Sequence, residues 1–293
     1  MKAVNIKLFR DLKRTRSQVI AIALVMAAGI STFIMSLSTL DSLRLTRDAY
    51  YSDYQFADIF ASAKRAPESL RQRIQQIPGV DKVGTRVMAV AKLSVAGFHE
   101  PITAQVVSLA DVGQPVLNRL FLRQGRLVDV ARDDEVVLNE VFAEAHALQP
   151  GDQVEAIIKG HLKTLTVVGI ALSPEFIYQV APGAIMPDNK RFAVMWMSRE
   201  ALGRAYEMDG AFNNVVVTRT AGANEDDIIQ QLDLLLEKYG GLDARGRDWQ
   251  ISHRFLQSEF DSLEQMASTF SMIFLGIAVG QIHDEFMGLS GSG

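Results

Sequence analysis

Between Ser17 and Leu40 the chain runs for 24 residues without a charge, "SQVIAIALVMAAGISTFIMSLSTL". As a helix rising about 1.5 Å per residue, this segment reaches ~36 Å, more than the ~30 Å hydrocarbon core of a bilayer. A buried helix of a soluble domain seldom goes so far without a charge. A cleaved leader has a shorter apolar run, of roughly 7–15 residues, closed by an Ala-x-Ala site. No such site ends this stretch. It reads as an uncleaved membrane helix, and Ala27, Ala28, Gly29 and Ser31 leave room for a second helix to approach closely.

The flanking charges orient it. Lys2, Lys7, Arg10, Lys13, Arg14 and Arg16 precede the span, opposed only by Asp11, while Asp41, Arg44, Arg47 and Asp48 follow it. The basic excess places Met1 in the cytoplasm. Residues 1–16 are either a helix lying in the inner interface or a solvated basic tail. In the first case Val4, Ile6, Leu8, Phe9 and Leu12 face lipid and the cations face anionic headgroups. A second apolar stretch, residues 265–282, has 18 uncharged residues, the lower edge of spanning length. Its strongest part is Met272 to Val279. The tail at 283–293, opening His283-Asp284-Glu285 and ending in Gly and Ser, reads as an interrupted end or a linker. With Met1 inside, residues 41–264 are expected on the outer side, and the second span returns the chain.

Composition limits the rest. Of 293 residues 48% are hydrophobic and 22% charged, so the whole length is not a membrane bundle. The net charge of −4 gives no basic field, and nucleic acid is not an expected partner. There is no cysteine. That excludes disulfides, zinc–thiolate sites, iron–sulfur clusters and thiol nucleophiles without fixing the compartment.

The outer region reads as α+β. Residues 41–54 are expected to carry the first span outward as a helical stalk. Residues 252–264, with Phe255, Leu256, Phe260 and Leu263 at helical spacing, form the matching stalk. Two strand–turn–helix patterns resemble one another: "ADIFASAKRAPESLRQRIQQIPGV" and "NVVVTRTAGANEDDIIQQLDLLLEKYGG". Glu68 and Glu225 stand near the two helix starts, where the helix dipole favours an acid. Leu70, Ile74 and Ile77 make one apolar stripe; Ile228, Ile229, Leu232, Leu235 and Leu236 make the other. Lying some 150 residues apart, the two units suggest one α/β subdomain, residues 41–110 plus 205–264, flanking an insertion at 111–204. The insertion reads as β-rich: strand "EVVLN", small helix "EVFAEAHAL" stopped by Pro150-Gly151, then strands "DQVEAIIKG" and "LKTLTVVGIA" turning at Gly160-His161.

No motif for chemistry appears. There is no G-x-x-x-x-G-K-[ST], H-E-x-x-H or G-x-S-x-G. His99, His146, His161, His253 and His283 are scattered and read as ordinary surface or turn residues. Asp133-Asp134-Glu135 reads as a solvated acidic loop before the strand Val136–Leu138 rather than a cation site. No catalytic, cofactor-binding or metal residue is assigned, no cofactor is expected, and the chain is not expected to be an enzyme. "LSPEFIYQVAPGAIMPD", with Phe176, Tyr178 and three prolines, is either an exposed partner-binding loop or a packed crossover.

One stretch carries a resemblance: "GRLVDVARDDEVVLNEVFAEAHALQPGDQVEAIIKGHLKTLTVVGIALSPE". Its elements are Gly125-Arg126, Glu135 to Leu138, the Leu-x-x-Gly-Asp turn at Leu148 to Asp152, and Val167 to Ile170. In these, and in the order of basic segment, membrane helix, large outer domain and returning helix, the chain resembles the FtsX/MacB-type permeases of ABC transporters. The resemblance implies an outer domain made of a porter-like α/β subdomain and an inserted β-rich subdomain, flanked by transmembrane helices in a bacterial inner membrane. It implies a separate or fused cytoplasmic ABC ATPase as the energy source, a second permease copy or homologue, and a periplasmic adaptor or substrate protein. It also implies two further membrane helices beyond the second. The implied function is ATP-driven export or extraction of a substrate. The alternative is a non-transporting regulator whose outer domain controls an extracytoplasmic partner.

Overall fold

Residues 16–110 and 113–290 are described by a computed structural model. The basic segment at 1–15 lies outside them. The chain divides into two compact units: one is residues 49–256, the other is drawn from residues 1–48 and 257–293.

Two helices dominate the second of these units. α1 (Arg16–Asp53) has 38 residues and α6 (Ile251–Ser290) has 40. Neither contains proline, so neither loses a ladder hydrogen bond. They run antiparallel. A Cβ added to Gly29 would stand 2.8 Å from Phe274 Cβ. Arg44 Nη2 donates to Glu264 Oε2 at 2.7 Å, and Arg47 Nη1 to Gln257 Oε1 at 3.0 Å. The Arg47 guanidinium also lies 5.2 Å from the centre of the Phe260 ring. Leu40, Phe260 and Ala267 are buried, but Leu24, Ile34, Met35, Met272 and Val279 each expose more than 60% of their surface. Among the described residues one helix segment, Ala23–Asp53, is long and apolar enough to cross a membrane. α1 continues through the expected stalk unbroken. α6 runs on past His283-Asp284-Glu285, which the sequence suggests as its end. Polar residues alone do not stop a helix, and no proline follows them.

The other unit holds two sheets. The smaller contains β1 (Ile59–Pro67), β2 (Val80–Arg86), β10 (Ala211–Arg219) and β11 (Leu242–Gly246), in the order β11-β1-β10-β2. All its pairs are antiparallel, and Ile59 lies opposite Val217. The two strand–helix units read from sequence therefore meet side by side. α2 (Leu70–Gln75) and α5 (Glu225–Leu236) bury Leu70, Ile74, Ile228, Leu232 and Leu236 against Ile59, Val83, Phe212, Val215 and Val217. Each such fully buried side chain contributes about 1.5–3 kcal/mol. α5 starts at Asn224, whose side chain accepts from the Asp226 N–H at 3.1 Å, and its C-terminal turn closes on Gly240 in the left-handed region. Glu68 departs from expectation. It lies before α2 and is drawn away from the helix by Arg199 and Thr85.

The larger sheet contains β3 (Met88–Val95), β4 (Phe98–Leu109), β5 (Phe121–Gly125), β6 (Glu135–Asn139), β7 (Gln153–Ile158), β8 (His161–Leu172) and β9 (Phe192–Ser198). Six of these close into a ring, β7-β8-β6-β9-β4-β3 and back to β7, with β5 added outside on β8. Strand β7 alternates cleanly: Val154, Ala156 and Ile158 point in, while Gln153, Glu155 and Ile157 point out. β6 and β9 are buried along their whole length. Their inward residues Val136, Leu138, Ala193, Met195 and Met197 fill the ring, and Val137, Phe192, Val194 and Trp196 form a second cluster outside. That double burial explains continuous apolar runs in place of alternation. α3 (Glu140–Ala145) and α4 (Arg199–Tyr206) follow β6 and β9.

The ring moves a boundary. The sequence reading gives residues 88–109 to the α/β part and starts the β-rich insertion at Asp111. β3 and β4 instead belong to the ring, and the sheet changes at the single residue Val87, with no turn residue to announce it. The β7–β8 turn is Lys159-Gly160, both at positive φ, and His161 already opens β8.

Two glycines of the resembling stretch have a steric reason. Gly125 and Gly169 are register partners on β5 and β8. A Cβ on Gly125 would collide with the Val168 carbonyl oxygen, and one on Gly169 with that of Arg126. Only residues without Cβ let these backbones approach.

Candidate functional site

The most densely bonded polar group lies where the two sheets meet, and both sheets belong to one compact unit. Arg86 ends β2, one residue before the chain enters the ring. Its Nη1 and Nη2 donate to Glu175 Oε2 and Oε1, both at 2.6 Å, and its Nε donates to Asn214 Oδ1 on β10 at 2.7 Å. Glu175 sits in a short 3-10 turn (Pro174–Phe176) just after β8. It also accepts from Asn118 Nδ2 at 2.7 Å, while Asn118 Oδ1 accepts from the Ala57 N–H at 2.8 Å. Asn214 Nδ2 continues the network to Ser62 Oγ at 3.0 Å. The Arg86 and Glu175 side chains are only 11% and 7% exposed. Such a pair is weak evidence for net stability, but breaking it strands a buried charge and costs about 3–5 kcal/mol.

A second clamp lies beside it. Arg199, the first residue of α4, donates to Glu68 Oε2 at 2.6 Å and to the Thr85 carbonyl at 2.5 Å. The Asn213 amide bonds both the N–H and the C=O of Met88 at 2.7 Å, imitating one more rung of sheet between β10 and β3.

Within residues 49–256 the segment after β8 also contacts the start of α6. Gln250 Nε2 donates to the Glu175 carbonyl at 2.5 Å, and the Tyr178 N–H to Ser252 Oγ at 3.0 Å. The Tyr178 ring stacks on Phe255, with centroids 5.5 Å apart. Tyr51, near the end of α1, contacts His253 Nδ1 through its hydroxyl at 3.2 Å. Arg247 donates to the carbonyls of Phe56 and Ala57 and to Asp58 Oδ1. The last turn of α1, the first turn of α6 and the edge of the ring are thus joined through one polar strip. Of the two sequence alternatives for residues 172–188, the first half is the packed crossover. Its tip, Ile185 and Met186, stays 88% and 75% exposed.

The residues singled out from sequence do not converge. His146 lies between the Phe98 and Phe142 rings and contacts the Lys190 carbonyl, His161 opens β8, and His253 joins the helices. The His283 side chain lies outside the described residues. Asp133 and Asp134 form the solvated loop expected before β6, their side chains 55% and 45% exposed and paired with Lys163 and Arg132, both at 2.7 Å; Glu135 departs from that reading and opens β6. Glu135 is buried, taking two bonds from Arg126 and one from the Asp129 N–H. The hydrogen bonds from Arg126 are the main cause holding its carboxyl below the usual range, ahead of the opposing effect of burial. Among the described residues no three His, Asp or Glu side chains gather as a metal would require. Sequence reasoning missed Arg86, Glu175, Asn118 and Asn214. The available signal was a lone acid between proline and aromatic residues, "SPEFIY".

No family model and no curated protein matches the chain. Among solved structures it is similar to the extracellular domain of YknZ, a noncanonic ABC-type transporter from Gram-positive bacteria. Identity is 14% over 65% of this chain and 98% of that one, with a TM-score of 0.42. It is similar too to the periplasmic region of MacB from Actinobacillus actinomycetemcomitans, at 13% identity over 71% and 94% of the two chains and a TM-score of 0.40. The chain is thus similar to outer regions of transporter proteins, at a level of likeness that assigns it to none of them.

Proposed function

We propose that this chain is a permease-type subunit of an ABC transporter whose outer unit relays motion rather than catalysing a reaction. The observation that carries this reading is the antiparallel pairing of α1 with α6, with large apolar side chains left exposed on both. Such surfaces are costly in water and ordinary in lipid. The sequence resemblance supports the same reading. So does the polar strip within residues 49–256, which ties the start of α6 to the segment after β8. Under this proposal the N-terminus is cytoplasmic, residues 41–264 lie outside a bacterial inner membrane, and a separate cytoplasmic ATPase supplies the energy. A second permease copy and an outer adaptor or substrate protein complete the assembly.

The absence of native cysteine makes the test clean. Cysteines placed at Lys159 and Asp226 should react with a membrane-impermeant maleimide in intact cells, and one at Lys7 should react only after lysis. Labelling at Lys7 in intact cells refutes the orientation. The purified full chain should not bind ATP; saturable binding refutes a separate ATPase.

A further inference from the structure

A cleft of about 680 Å³ opens on the helix-free face of the four-stranded sheet. Phe60, Tyr178, Pro182, Trp249 and Ile251 line it, with Arg245 among them. That volume lies within the roughly 300–1,000 Å³ of small-molecule sites. Trp249 is unusual for a residue of its type, being 61% exposed. Two guanidiniums lie over its ring, Arg245 at 5.3 Å and Arg254 at 5.9 Å from the centroid. Among the described residues, neither arginine has a carboxylate within 4.0 Å. Of the two acids lining the cleft, Glu175 is neutralised by Arg86, and Asp243 forms no ion pair among the described residues. An apolar cleft ending in a tryptophan that carries two unpaired cations has a defined complement.

We infer that this cleft binds a small amphipathic anion, its apolar body among Phe60, Tyr178 and Ile251 and its carboxylate or sulfonate against Arg245 and Arg254. The inference does not depend on the transporter reading, since the cleft is complete within residues 49–256.

Trp196 is buried, so Trp196→Phe leaves Trp249 as the sole tryptophan and a direct reporter. The full chain with that change, in phosphatidylcholine nanodiscs, is titrated with 4-ethylbenzenesulfonate while Trp249 emission is followed, against empty nanodiscs. Saturable change is expected, and the neutral 4-ethylbenzyl alcohol should bind at least about tenfold more weakly. The cationic 4-ethylbenzylammonium should not compete. Arg245→Gln with Arg254→Gln should weaken the sulfonate about tenfold or more, and the lysine pair should restore most of that. No saturable change up to roughly 10 mM, equal affinity for the alcohol, or an unaffected double glutamine variant overturns the inference. The alcohol comparison uses unaltered arginines, so it holds even if the glutamine variant misfolds.

Discussion

The ring and the four-stranded sheet solve the problem of strand pairing in opposite ways. Every strand of the ring comes from one continuous segment, residues 88–198, and six of them return on themselves. The small sheet is assembled from two distant segments, with β1 and β2 before the ring and β10 and β11 after it. One closes by geometry, the other by pairing two segments between which the ring is inserted. The comparison teaches that an insertion with adjacent ends need not disturb its host's sheet. The ring places Met88 and Asn213 within hydrogen-bond reach, so the ends it must present to the sheet are already adjacent. Closing a long flexible loop is only modestly costlier than closing a short one, but a folded insertion removes that cost.

The hardest way to break the comparison is to cut at its seam. Residues 49–256 with 88–209 replaced by a short Gly/Ser linker should still fold as an α/β layer, and residues 88–206 alone should fold as a β protein. Circular dichroism and thermal melts on both pieces check this. If neither folds while 49–256 melts cooperatively, the ring and sheet are one core. Next in size is the junction itself. Glu175→Ala should destabilise the outer unit by about 3–5 kcal/mol, whereas Arg86→Met combined with Glu175→Met should recover most of it. Urea unfolding of residues 49–256 measures both, and a double variant that loses more than the single one would show that a stranded buried charge is not what Glu175→Ala costs. Within the larger sheet, Gly169→Ala should cost about 1–3 kcal/mol in the same urea unfolding, because its Cβ would collide with the Arg126 carbonyl oxygen beside β5. The smallest effect is a pH dependence. The folded carboxyl of Glu135 titrates below its unfolded value, so its contribution is present above the unfolded pKa and fades as pH falls through the folded one. Stability curves between about pH 5 and 2 should be flatter for Glu135→Gln than for the native chain.

The sequence was most legible where a signal is local. A run without charges names α1, and apolar stripes with Gly240 and Pro78 as stops name α5 and α2. The small helix after "EVVLN" was visible through its stop at Pro150-Gly151, and the β7–β8 hairpin through Gly160, although its turn is Lys159-Gly160 and not Gly160-His161. The sheet to which β3 belongs was not visible. From Val80 to Val95 the residues read as one extended run, and Val87 differs in nothing local from its neighbours. Which partner a strand chooses depends on residues such as Ile157, opposite Lys92 and more than sixty positions away. The junction was hidden for a related reason. An arginine at a strand end is ordinary until Glu175 and Asn214, both distant in sequence, are brought to it. The boundary drawn at Asp111 falls in sequence between β4 and β5, both strands of the larger sheet.

A closed ring also bears on how copies of this protein can meet. Strand edges are where β proteins add foreign chains, because unpaired N–H and C=O groups there invite another backbone. Each of the six ring strands has a neighbour on both edges for at least part of its length. Strand β5, outside the ring, is five residues long and guarded by the ion pair of Arg123 with Glu140. Crowding therefore offers this half of the outer unit little to polymerise through, and self-association by strand exchange would first have to tear the ring open.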